Sequence, residues 1–357
     1  MSARILRGDD PASVAEAARR IRAGEPVAFP TETVYGLGAN ALDPVAVARV
    51  FEAKDRPSFD PLIVHVGLVS EVVAYVDAGD AADARVQRLA ERFWPGPLTL
   101  VLRKRDTIPG IVTAGLPTVG IRVPDHPVAL ALLHAAGVPI AAPSANRFGG
   151  LSPTRAEHVR RQLGERIGLI LDGGPSRVGV ESTVLAVDPD GARLLRPGGT
   201  PLEAIEAEIG RVQVAPAAAI GPGVDEGRAA ESPGSSAAHY APSVPLEVVA
   251  SGAAVRARPG ERLGLLAASE AARDQAVAVG GPYAAMEVPA PDGDALRLAA
   301  GLFEALHRLD AEGVDRIVAH EIPEAGLGRA IMDRLRRAEA ATASAAGHAA
   351  DASQGSR

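Results

Sequence analysis

Short apolar segments alternate with amphipathic helical segments along most of the chain, and this alternation constrains the fold more than any other feature. A helix predicted over residues 12–23 precedes an apolar strand at 27–29, and a helix over 82–93 precedes strands at 98–102 and 119–123. Strands that alternate with helices predict an α/β domain, in which helices cover the faces of a sheet. The pattern leaves the order of the strands open.

The composition of the sequence changes over residues 213–244, which are rich in Pro, Gly, Ala and Ser and have no hydrophobic periodicity. A segment of this composition and length is typical of a linker or a functional loop. We therefore predict a first domain at residues 1–212, this linker, and a second, smaller α/β domain at residues 245–340. Residues 341–357, rich in Ala, Ser and Gly, are predicted to form a disordered tail.

Composition excludes several classes of chemistry. The chain has 357 residues, no cysteine and a formal net charge of −7. Without cysteine it cannot form disulfides, thiolate zinc sites, iron–sulfur clusters or a thiolate nucleophile. The negative net charge argues against binding of nucleic acid through the overall charge of the protein. Only a local basic patch could bind nucleic acid. We expect a cytoplasmic protein with no membrane partner, because no apolar run approaches the roughly 18 residues of a membrane span and the N-terminus lacks a signal-peptide stretch.

A polar, glycine-containing segment follows the first apolar strand, with the sequence PTETVYGLG at residues 30–38. It offers two threonine hydroxyls, one of them on Thr33, and glycines that let backbone approach a ligand closely. A substrate-binding loop and a plain turn are both compatible with this segment taken alone.

Three charged or titratable residues follow the next predicted helix and strand. Lys54, one of only two lysines in the chain, and Arg56 lie just past a helix. A compact ammonium beside a planar guanidinium is a common pairing around a triphosphate, and a solvated charge pair at a helix end is the alternative. His65 closes a buried strand, where a histidine is more often a core residue than a catalyst.

Arg122 lies inside the predicted strand at 119–123, between Ile121 and Val123. Because side chains alternate along a strand, Arg122 faces opposite to both apolar neighbours. An arginine in a strand covered on both faces needs a partner. An anionic ligand and a structural carboxylate are equally good candidates.

Two loops carry small hydroxyl and amide side chains among glycines. Residues 142–154 follow a buried strand and include Ser144, Asn146 and Ser152. Such strand-to-helix loops bind ligands in open α/β sheets, although Ser152 could also be an ordinary helix cap. A later glycine-rich stretch holds Ser182 and Arg196. Neither GxxxxGK[ST] nor GxGxxG occurs, and HExxH and GxSxG are absent too. Placed carboxylates are scarce, so we predict a site that binds a highly anionic nucleotide and carries out phosphoryl or nucleotidyl chemistry.

Seven sequence motifs, in this order along the chain, resemble those of one protein family. The segments PTETVYGLG, KDRPSFDPLIVHV, FWPGPLTLVL, VGIRVPDHP, PSANRFGGLSPT, ESTVL and LLRPGG, followed by SPGSSAAHYAP and LGRAIMDRLRRA, are similar to the YrdC-type L-threonylcarbamoyladenylate synthases in their long two-domain form. The resemblance implies a twisted mixed α/β sheet around a concave, positively charged central cavity, followed by a small Rossmann-like domain. It also implies that residues 213–244 act as a lid over the active site.

The resemblance further implies a nucleotidyltransferase reaction, in which L-threonine, bicarbonate and ATP give threonylcarbamoyl-AMP, pyrophosphate and water. Mg²⁺ would arrive on the ATP phosphates, with no metal held by protein side chains. A threonylcarbamoyl transferase complex would then move the group to adenosine 37 of tRNAs that read ANN codons, so that tRNA is a partner only indirectly or weakly.

The residues implied by the resemblance fall into two sets. The L-threonine set comprises Thr33, His65, Arg122 and Ser182, and the ATP set comprises Lys54, Arg56, Thr118, Ser144, Asn146, Ser152, Arg196 and Tyr240. Lys54, Arg56 and Arg122 are the expected catalytic cations.

The sequence departs from the family pattern at a few positions. Residues 235–238 are Ser-Ser-Ala-Ala, where the family commonly has Met and basic or aromatic residues; Asp60 replaces a frequent Asn, and Ala142 a frequent Ser. Two rival functions exist. A tRNA or double-stranded-RNA binding module would use the same basic cavity, and a hydrogenase-maturation carbamoyltransferase would need cysteine zinc fingers that this chain lacks.

Overall fold

The structure is a computed structural model that describes residues 2–57, 60–214 and 239–354, with side chains up to residue 344. The chain divides into two compact units. Unit 1 comprises residues 2–148 and 152–214, and unit 2 comprises residues 149–151 and 239–354. Most of the predicted linker at 213–244 lies outside the described residues, so its boundaries and its action as a lid stay predictions.

Unit 1 contains seven α-helices, one 3₁₀ helix and eleven strands in its described residues. The helices are α1 (Pro11–Arg22), α2 (Pro44–Lys54), α3 (Ala78–Ala81), α4 (Ala84–Phe93), α5 (Pro127–Ala136), α6 (Ala156–Leu163) and α7 (Leu202–Ile209), with the 3₁₀ helix at Val69–Ala74. The strands are β1 (Arg4–Arg7), β2 (Val27–Phe29), β3 (Gly36–Asn40), β4 (Ile63–His65), β5 (Leu98–Arg103), β6 (Thr118–Arg122), β7 (Ile140–Ala142), β8 (Leu169–Asp172), β9 (Thr183–Asp188), β10 (Gly191–Arg196) and β11 (Gln213–Val214).

Local sequence explains where the longer helices begin and end. Asp10 caps α1 by accepting hydrogen bonds from the Ala12 and Ser13 amides, and a proline at the first helical position already has the required φ. Asp43 caps α2 in the same way, and α2 ends at Asp55, which is left-handed at φ 53°. That left-handed residue turns the chain at the end of α2, between Lys54 and Arg56.

The eleven strands form one mixed sheet in the order β1-β8-β2-β3-β7-β4-β6-β5-β9-β10-β11. Strands β4 and β6 pair in parallel. Strand β7 pairs antiparallel with β3 and with β4, and β5 pairs antiparallel with β6. The predicted mixed α/β architecture is therefore confirmed.

Apolar side chains cover the two faces of the sheet unequally. On one face, α1 and α5 pack with β2, β7 and β8 through residues such as Ile21, Leu132 and Ile140. On the other face, a larger cluster joins α2, α4 and α6 to the central strands. Where the first face passes over β4, β6 and β5, it carries His65, Arg122, Thr118 and Thr99, and the candidate site lies here. Farther along the same face, Val101, Val184 and Ala186 form a small apolar cluster.

Unit 2 is a parallel α/β sheet of four strands in the order β12-β15-β13-β14. Its strands are β12 (Leu246–Val249), β13 (Leu263–Leu266), β14 (Tyr283–Glu287) and β15 (Arg316–His320), and its helices are α8 (Glu270–Val279), α9 (Ala295–Ala311) and α10 (Gly328–Gln354). Ser269 and Asp294 cap α8 and α9. This agrees with the predicted second α/β domain.

The structure differs from the predicted tail. Helix α10 continues through Gln354, and Thr342 is buried with its hydroxyl accepting a hydrogen bond of 3.1 Å from the Leu246 amide. Alanine has the highest helix propensity, so an alanine-rich segment that follows a packed helix extends it. Across the described ranges, no helix combines the length and apolarity that crossing a bilayer requires.

Candidate active site

Strand register brings several of the predicted residues to one face of the sheet. His65 in β4 pairs directly with Arg122 in β6, so both side chains point to the same side. Thr118 lies four residues before Arg122 in β6 and shares that side, about 13 Å away at 3.3 Å per residue. Ser144, just past β7, forms an isolated bridge with Gly36. On this side of the sheet, Arg122 lies at one end of β6 and Thr118 lies at the other.

The first end holds a cluster of Arg122, Thr33 and Glu32. Nη1 and Nη2 of Arg122 each donate to Thr33 Oγ1 at 3.2 Å, and Nη2 lies 3.5 Å from Glu32 Oε2. Thr31 shapes the loop, because its hydroxyl lies 2.8 Å from that of Thr33 and donates to the Val34 carbonyl at 2.6 Å. Arg122 therefore has a structural carboxylate as a partner, which is one of the two kinds of partner considered from the sequence.

The ion pair within this cluster is deeply buried and incompletely satisfied. Arg122 is 2% exposed and Glu32 is fully buried. Burial lowers the pKa of Arg122, while the Glu32 charge acts against that shift. Among the described residues, Arg122 Nε and Glu32 Oε1 are buried without a hydrogen-bond partner. A buried guanidinium with an unused donor is suited to receiving a carboxylate ligand.

His65 is a neutral imidazole with a defined tautomer. Its Nδ1 lies 3.1 Å from the Ile63 carbonyl and 3.3 Å from the Ile140 carbonyl. Two acceptors around one nitrogen require that Nδ1 carries the proton, which leaves the lone pair on Nε2. Burial, together with the Arg122 charge, lowers the pKa of His65 to about 3. His65 can therefore accept a hydrogen bond from a ligand near neutral pH.

Lys54 fastens the end of α2 to the loop after β7. Its ammonium donates to the Ser144 carbonyl at 2.6 Å and also to the Asn146 carbonyl. The Lys54 side chain is 1% exposed, and burial, with a contribution from the Arg56 charge, lowers its pKa well below the usual value. The same loop is held from its other side, because the Phe148 amide donates to the Lys54 carbonyl at 3.0 Å. Lys54 thus positions Ser144 and Asn146 directly.

Arg56 pairs with Asp60 at 2.9 Å between Nη2 and Oδ2, and both side chains are 2% exposed. Arg56 also donates to the Pro61 carbonyl at 3.0 Å. Asp60 is one of the positions at which the sequence departs from the family it resembles. With an aspartate there, the guanidinium has a buried negative partner in place of a neutral amide.

Ser182 and Arg196 meet beside the Arg122 end of the face. Arg196 Nη2 donates to the Ser182 carbonyl at 2.9 Å and to its hydroxyl at 3.2 Å, and that hydroxyl lies 2.8 Å from Thr99 Oγ1. Gly198 allows this arrangement, because a Cβ there would lie 2.3 Å from the Glu181 carbonyl oxygen. Ser152, in the loop at residues 142–154, donates to the buried carboxylate of Glu181, which links that loop to the segment holding Ser182.

Tyr240 is the one predicted site residue that the structure assigns to unit 2. Its ring centroid lies 5.8 Å from that of Phe303, and the Arg334 guanidinium carbon lies 5.0 Å from the ring centroid. These contacts describe how Tyr240 is buried, and its contact with ATP stays a prediction.

Three acidic residues of the site were not predicted from the sequence. Carboxylates appear scarce in the motifs, yet Glu32, Asp60 and Glu181 are all buried beside predicted ligand-binding residues. In the chain, each of these three carboxylates lies within four residues of a predicted ligand-binding residue, and this proximity can be seen in the sequence. Burial is what separates these three from the many exposed acidic residues, and burial depends on the tertiary structure.

Positive charge still exceeds negative charge in this region. Lys54, Arg56, Arg122 and Arg196 are buried cations, set against the three buried carboxylates. Within the part of the chain that the structure describes, no group of three or more His, Asp or Glu side chains could hold a metal ion. The arrangement suits a polyanionic ligand.

Two protein-family models match the chain. The Sua5/YciO/YrdC model, described as telomere recombination, matches residues 19–198. A model described as the C-terminal domain of threonylcarbamoyl-AMP synthase matches residues 201–340. The boundary between the two matches falls close to the end of unit 1.

Individual relatives are similar over nearly the whole chain. The threonylcarbamoyl-AMP synthase of Bacillus subtilis is 46% identical, with 93% of this chain and 94% of the relative covered. That of Pyrococcus abyssi is 47% identical, with coverages of 90% and 92%. A crystal structure of P. abyssi Sua5 complexed with L-threonine superposes with a TM-score of 0.82 at 39% identity, covering 96% of this chain and 98% of that one.

Proposed function

The chain belongs to the Sua5/YciO/YrdC family in its two-domain threonylcarbamoyl-AMP synthase form, and on this premise we propose how it carries out that synthesis. We infer that it is a nucleotidyltransferase that joins L-threonine, bicarbonate and the AMP part of ATP. The products are threonylcarbamoyl-AMP, pyrophosphate and water. Threonylcarbamoyl transfer to adenosine 37 of tRNAs that read ANN codons would follow in a separate complex, and a cytoplasmic location stays a prediction.

One observation carries the proposal, namely the buried Arg122 guanidinium whose Nε has no partner among the described residues. We propose that the threonine carboxylate binds there and accepts a hydrogen bond from Nε, and that a second, parallel bond forms when a terminal nitrogen exchanges its Thr33 or Glu32 contact for the carboxylate. Thr33 and Ser182 would contact the rest of the amino acid, and neutral His65 would accept a hydrogen bond from it through Nε2.

ATP is proposed to occupy the other end of the face. Lys54 and Arg56 supply buried positive charge there, and Ser144, Asn146, Ser152 and Thr118 supply small polar groups around the loop after β7 and the start of β6. Arg196 would approach the phosphates from the Ser182 side. Tyr240 is retained as a proposed contact from the segment between the two units. The separation of about 13 Å between the two ends of β6 leaves room for the α-phosphate between the two substrates.

The proposed chemistry proceeds in two balanced steps. Bicarbonate takes up a proton and loses water to give CO₂, and the neutral threonine amine then attacks the CO₂ carbon and releases a proton as the carbamate forms. A carbamate oxygen then attacks the α-phosphorus of ATP, the bond to the bridging oxygen breaks, and pyrophosphate departs. Positioning of the reactants and neutralisation of their negative charge by Lys54, Arg56, Arg122 and Arg196 would account for most of the acceleration.

Mg²⁺ is proposed to come with the ATP phosphates, since the described side chains form no metal-binding cluster. No step above depends on it. His65 is too weak a base, at a pKa of about 3, to take the proton from the threonine ammonium.

The decisive experiment is a pyrophosphate-release assay on the full chain with ATP. We expect release only when L-threonine and bicarbonate are both present, and threonylcarbamoyl-AMP should appear in equal amount. L-valine, which has a similar shape without the hydroxyl, is the matched control for substrate recognition. Equal release with ATP alone would identify a hydrolase instead. Tight, steeply salt-dependent binding of RNA without pyrophosphate release would favour the RNA-binding alternative.

A further inference from the structure

Thr99 is a buried polar residue to which the proposed reaction assigns no role. It lies in β5 and is fully buried. Leu100 and Ile121 pair directly across β5 and β6, so the residues next to them, Thr99 and Arg122, share the opposite side of the sheet. The Thr99 hydroxyl oxygen lies 2.8 Å from Ser182 Oγ, just before β9. Thr99 therefore stands on the strand between Arg122 and Ser182.

The methyl group of Thr99 fixes the direction of its hydroxyl. A Cβ at Gly120 would lie 3.2 Å from Thr99 Cγ2, so the methyl group lies over the position that a side chain at Gly120 would need. Threonine is stiff about χ1, and with its methyl group packed there the hydroxyl points toward Ser182. The sheet itself therefore sets the contact between the two hydroxyls.

The direction of the hydrogen bond between these hydroxyls follows from their other partners. Ser182 Oγ also accepts a bond of 3.2 Å from Arg196 Nη2, and an arginine can only donate. Within residues 2–57, 60–214 and 239–354, the Thr99 hydroxyl contacts Ser182 alone. If Ser182 donated to Thr99, the Thr99 proton would be buried without an acceptor, which is unfavourable. Thr99 is therefore the donor.

This direction leaves the Ser182 proton for a ligand. A serine hydroxyl has one proton and two lone pairs, and the bonds from Arg196 and Thr99 occupy both lone pairs. Ser182 can then only donate to the bound amino acid. Away from the carboxylate assigned to Arg122, threonine offers such a donor its hydroxyl oxygen or, once CO₂ has reacted with the amine, the carbamate oxygens. An anionic oxygen is the stronger acceptor of the two.

We propose that Thr99 is a positioning residue, which donates to Ser182 Oγ and thereby reserves the Ser182 proton for a carbamate oxygen of the reacting amino acid. Ser182 would thus stabilise the anion that attacks ATP, and it would not accept a hydrogen bond from the threonine ammonium. Because the acceptor is an intermediate of the reaction, this role rests on the proposed function.

The test compares two threonine-to-valine variants of the full chain. Thr99→Val keeps the shape of the side chain and removes the donor. Thr113→Val is the matched control, because Thr113 is also buried but donates to the Leu116 backbone carbonyl at 2.9 Å. Pyrophosphate release gives kcat/KM for bicarbonate at saturating threonine and ATP. Calorimetric titration in CO₂-free buffer gives the affinities for L-threonine and ATP, and urea unfolding shows that each variant folds.

We expect Thr99→Val to lower kcat/KM for bicarbonate by about five- to ten-fold, because Arg196 alone would no longer hold the Ser182 hydroxyl in one direction. The affinities for L-threonine and ATP should stay unchanged, and Thr113→Val should leave all three quantities unchanged. Thr99→Ser, which keeps the donor, should stay within about three-fold of the unaltered chain. Thr99→Ala removes the same donor and takes the place of Thr99→Val if that variant does not fold.

A double-variant cycle shows whether Thr99 acts through Ser182. Ser182→Ala should lower kcat/KM for bicarbonate by at least about ten-fold, and adding Thr99→Val to it should cause no further loss.

Three results would each overturn this role of Thr99. The first is an unchanged or higher kcat/KM in Thr99→Val, as expected if Ser182 donates to Thr99. The second is a loss that persists in the Ser182→Ala background. The third is a weaker affinity for L-threonine without bicarbonate, which would place the acceptor on threonine itself. Absence of threonine-dependent pyrophosphate release in the unaltered chain would instead overturn the proposed function, and this role with it.

Discussion

Both terminal nitrogens of Arg122 lie 3.2 Å from the hydroxyl oxygen of Thr33, a residue 89 positions earlier in the chain. The residue before Thr33, Glu32, also approaches the same guanidinium, at 3.5 Å. The Arg122 guanidinium therefore holds the loop after β2 in place, while its Nε has no partner within residues 2–57, 60–214 and 239–354. This geometry makes the proposed threonine site sensitive to changes in any of the three residues.

Replacing Arg122 should damage threonine recognition more than ATP recognition. We expect Arg122→Ala to raise the KM for threonine and to reduce kcat/KM by about 30- to 1000-fold, which corresponds to about 2–4 kcal/mol for a charge-assisted bidentate contact. Arg122→Lys should restore only part of this, because an ammonium lacks the planar fork. Steady-state kinetics with each substrate varied in turn measures both effects. If the variant loses affinity for ATP while its affinity for threonine is unchanged, Arg122 belongs to the phosphate-binding site and not to the threonine site.

The same variant should also be less stable, because Glu32 would remain as a buried charge without its partner. Breaking a buried pair from one side costs about 3–5 kcal/mol. We expect the double variant Arg122→Ala/Glu32→Gln to recover at least half of the lost free energy of unfolding in urea titrations, while threonine-dependent activity stays low. Failure to recover stability would mean that packing of the arginine side chain, and not the orphaned carboxylate, is responsible.

His65 should make the free energy of unfolding depend on pH in a predictable direction. Its pKa is lowered from 6.5 to about 3 in the folded chain by burial and by the Arg122 charge. Below pH 6.5 the unfolded chain therefore takes up a proton that the folded chain does not, so acid weakens the fold. Between pH 7 and pH 5 this should reduce the free energy of unfolding by about 2 kcal/mol. His65→Gln, measured in parallel, should lack this component, and identical pH slopes for both chains would contradict a lowered pKa.

The two lysines of the chain provide a matched comparison. Lys54 donates to two carbonyls of the loop after β7, whereas Lys104 donates to the Ile108 carbonyl at 3.0 Å. We expect Lys54→Met to leave buried carbonyls unsatisfied, to lower the free energy of unfolding by about 1–3 kcal/mol and to raise the KM for ATP at least ten-fold. Lys104→Met should leave the KM for ATP unchanged. Similar KM values for both variants would remove Lys54 from the ATP site.

Gly198 tests whether backbone proximity holds the Ser182 region together. A Cβ at this position would lie 2.3 Å from the Glu181 carbonyl oxygen and 2.4 Å from the Ser182 carbonyl carbon, so backbone must move. We expect Gly198→Ala to cost about 1–3 kcal/mol or more in urea unfolding and to reduce synthesis strongly. Gly110→Ala is the control, because a Cβ there meets nothing within 4 Å. If both variants behave alike, the close approach is not important.

Much of the fold and part of the site can be predicted from sequence because the signals are local. Alternation of strands and helices predicted the two α/β units, and residues such as Asp10 and Asp43 mark helix starts through contacts within three residues. Other predictions fail for a physical reason. The alanine-rich tail is compositionally close to a disordered segment, yet packing of Thr342 against β12 continues α10 past Ala341.

Sequence by itself determined which side chains are available to this protein: two lysines, many arginines, serine and threonine hydroxyls within its motifs, and no cysteine. It also determined that Arg122 faces away from Ile121 and Val123, because alternation is a property of any strand. Only the tertiary structure revealed that Glu32, 90 residues earlier in the chain, is a partner of that arginine. It likewise decided the tautomer of His65, because the Ile140 carbonyl near its Nδ1 comes from another strand. These features arise where strand order and burial bring distant groups into one low-dielectric space, and no local pattern encodes that meeting.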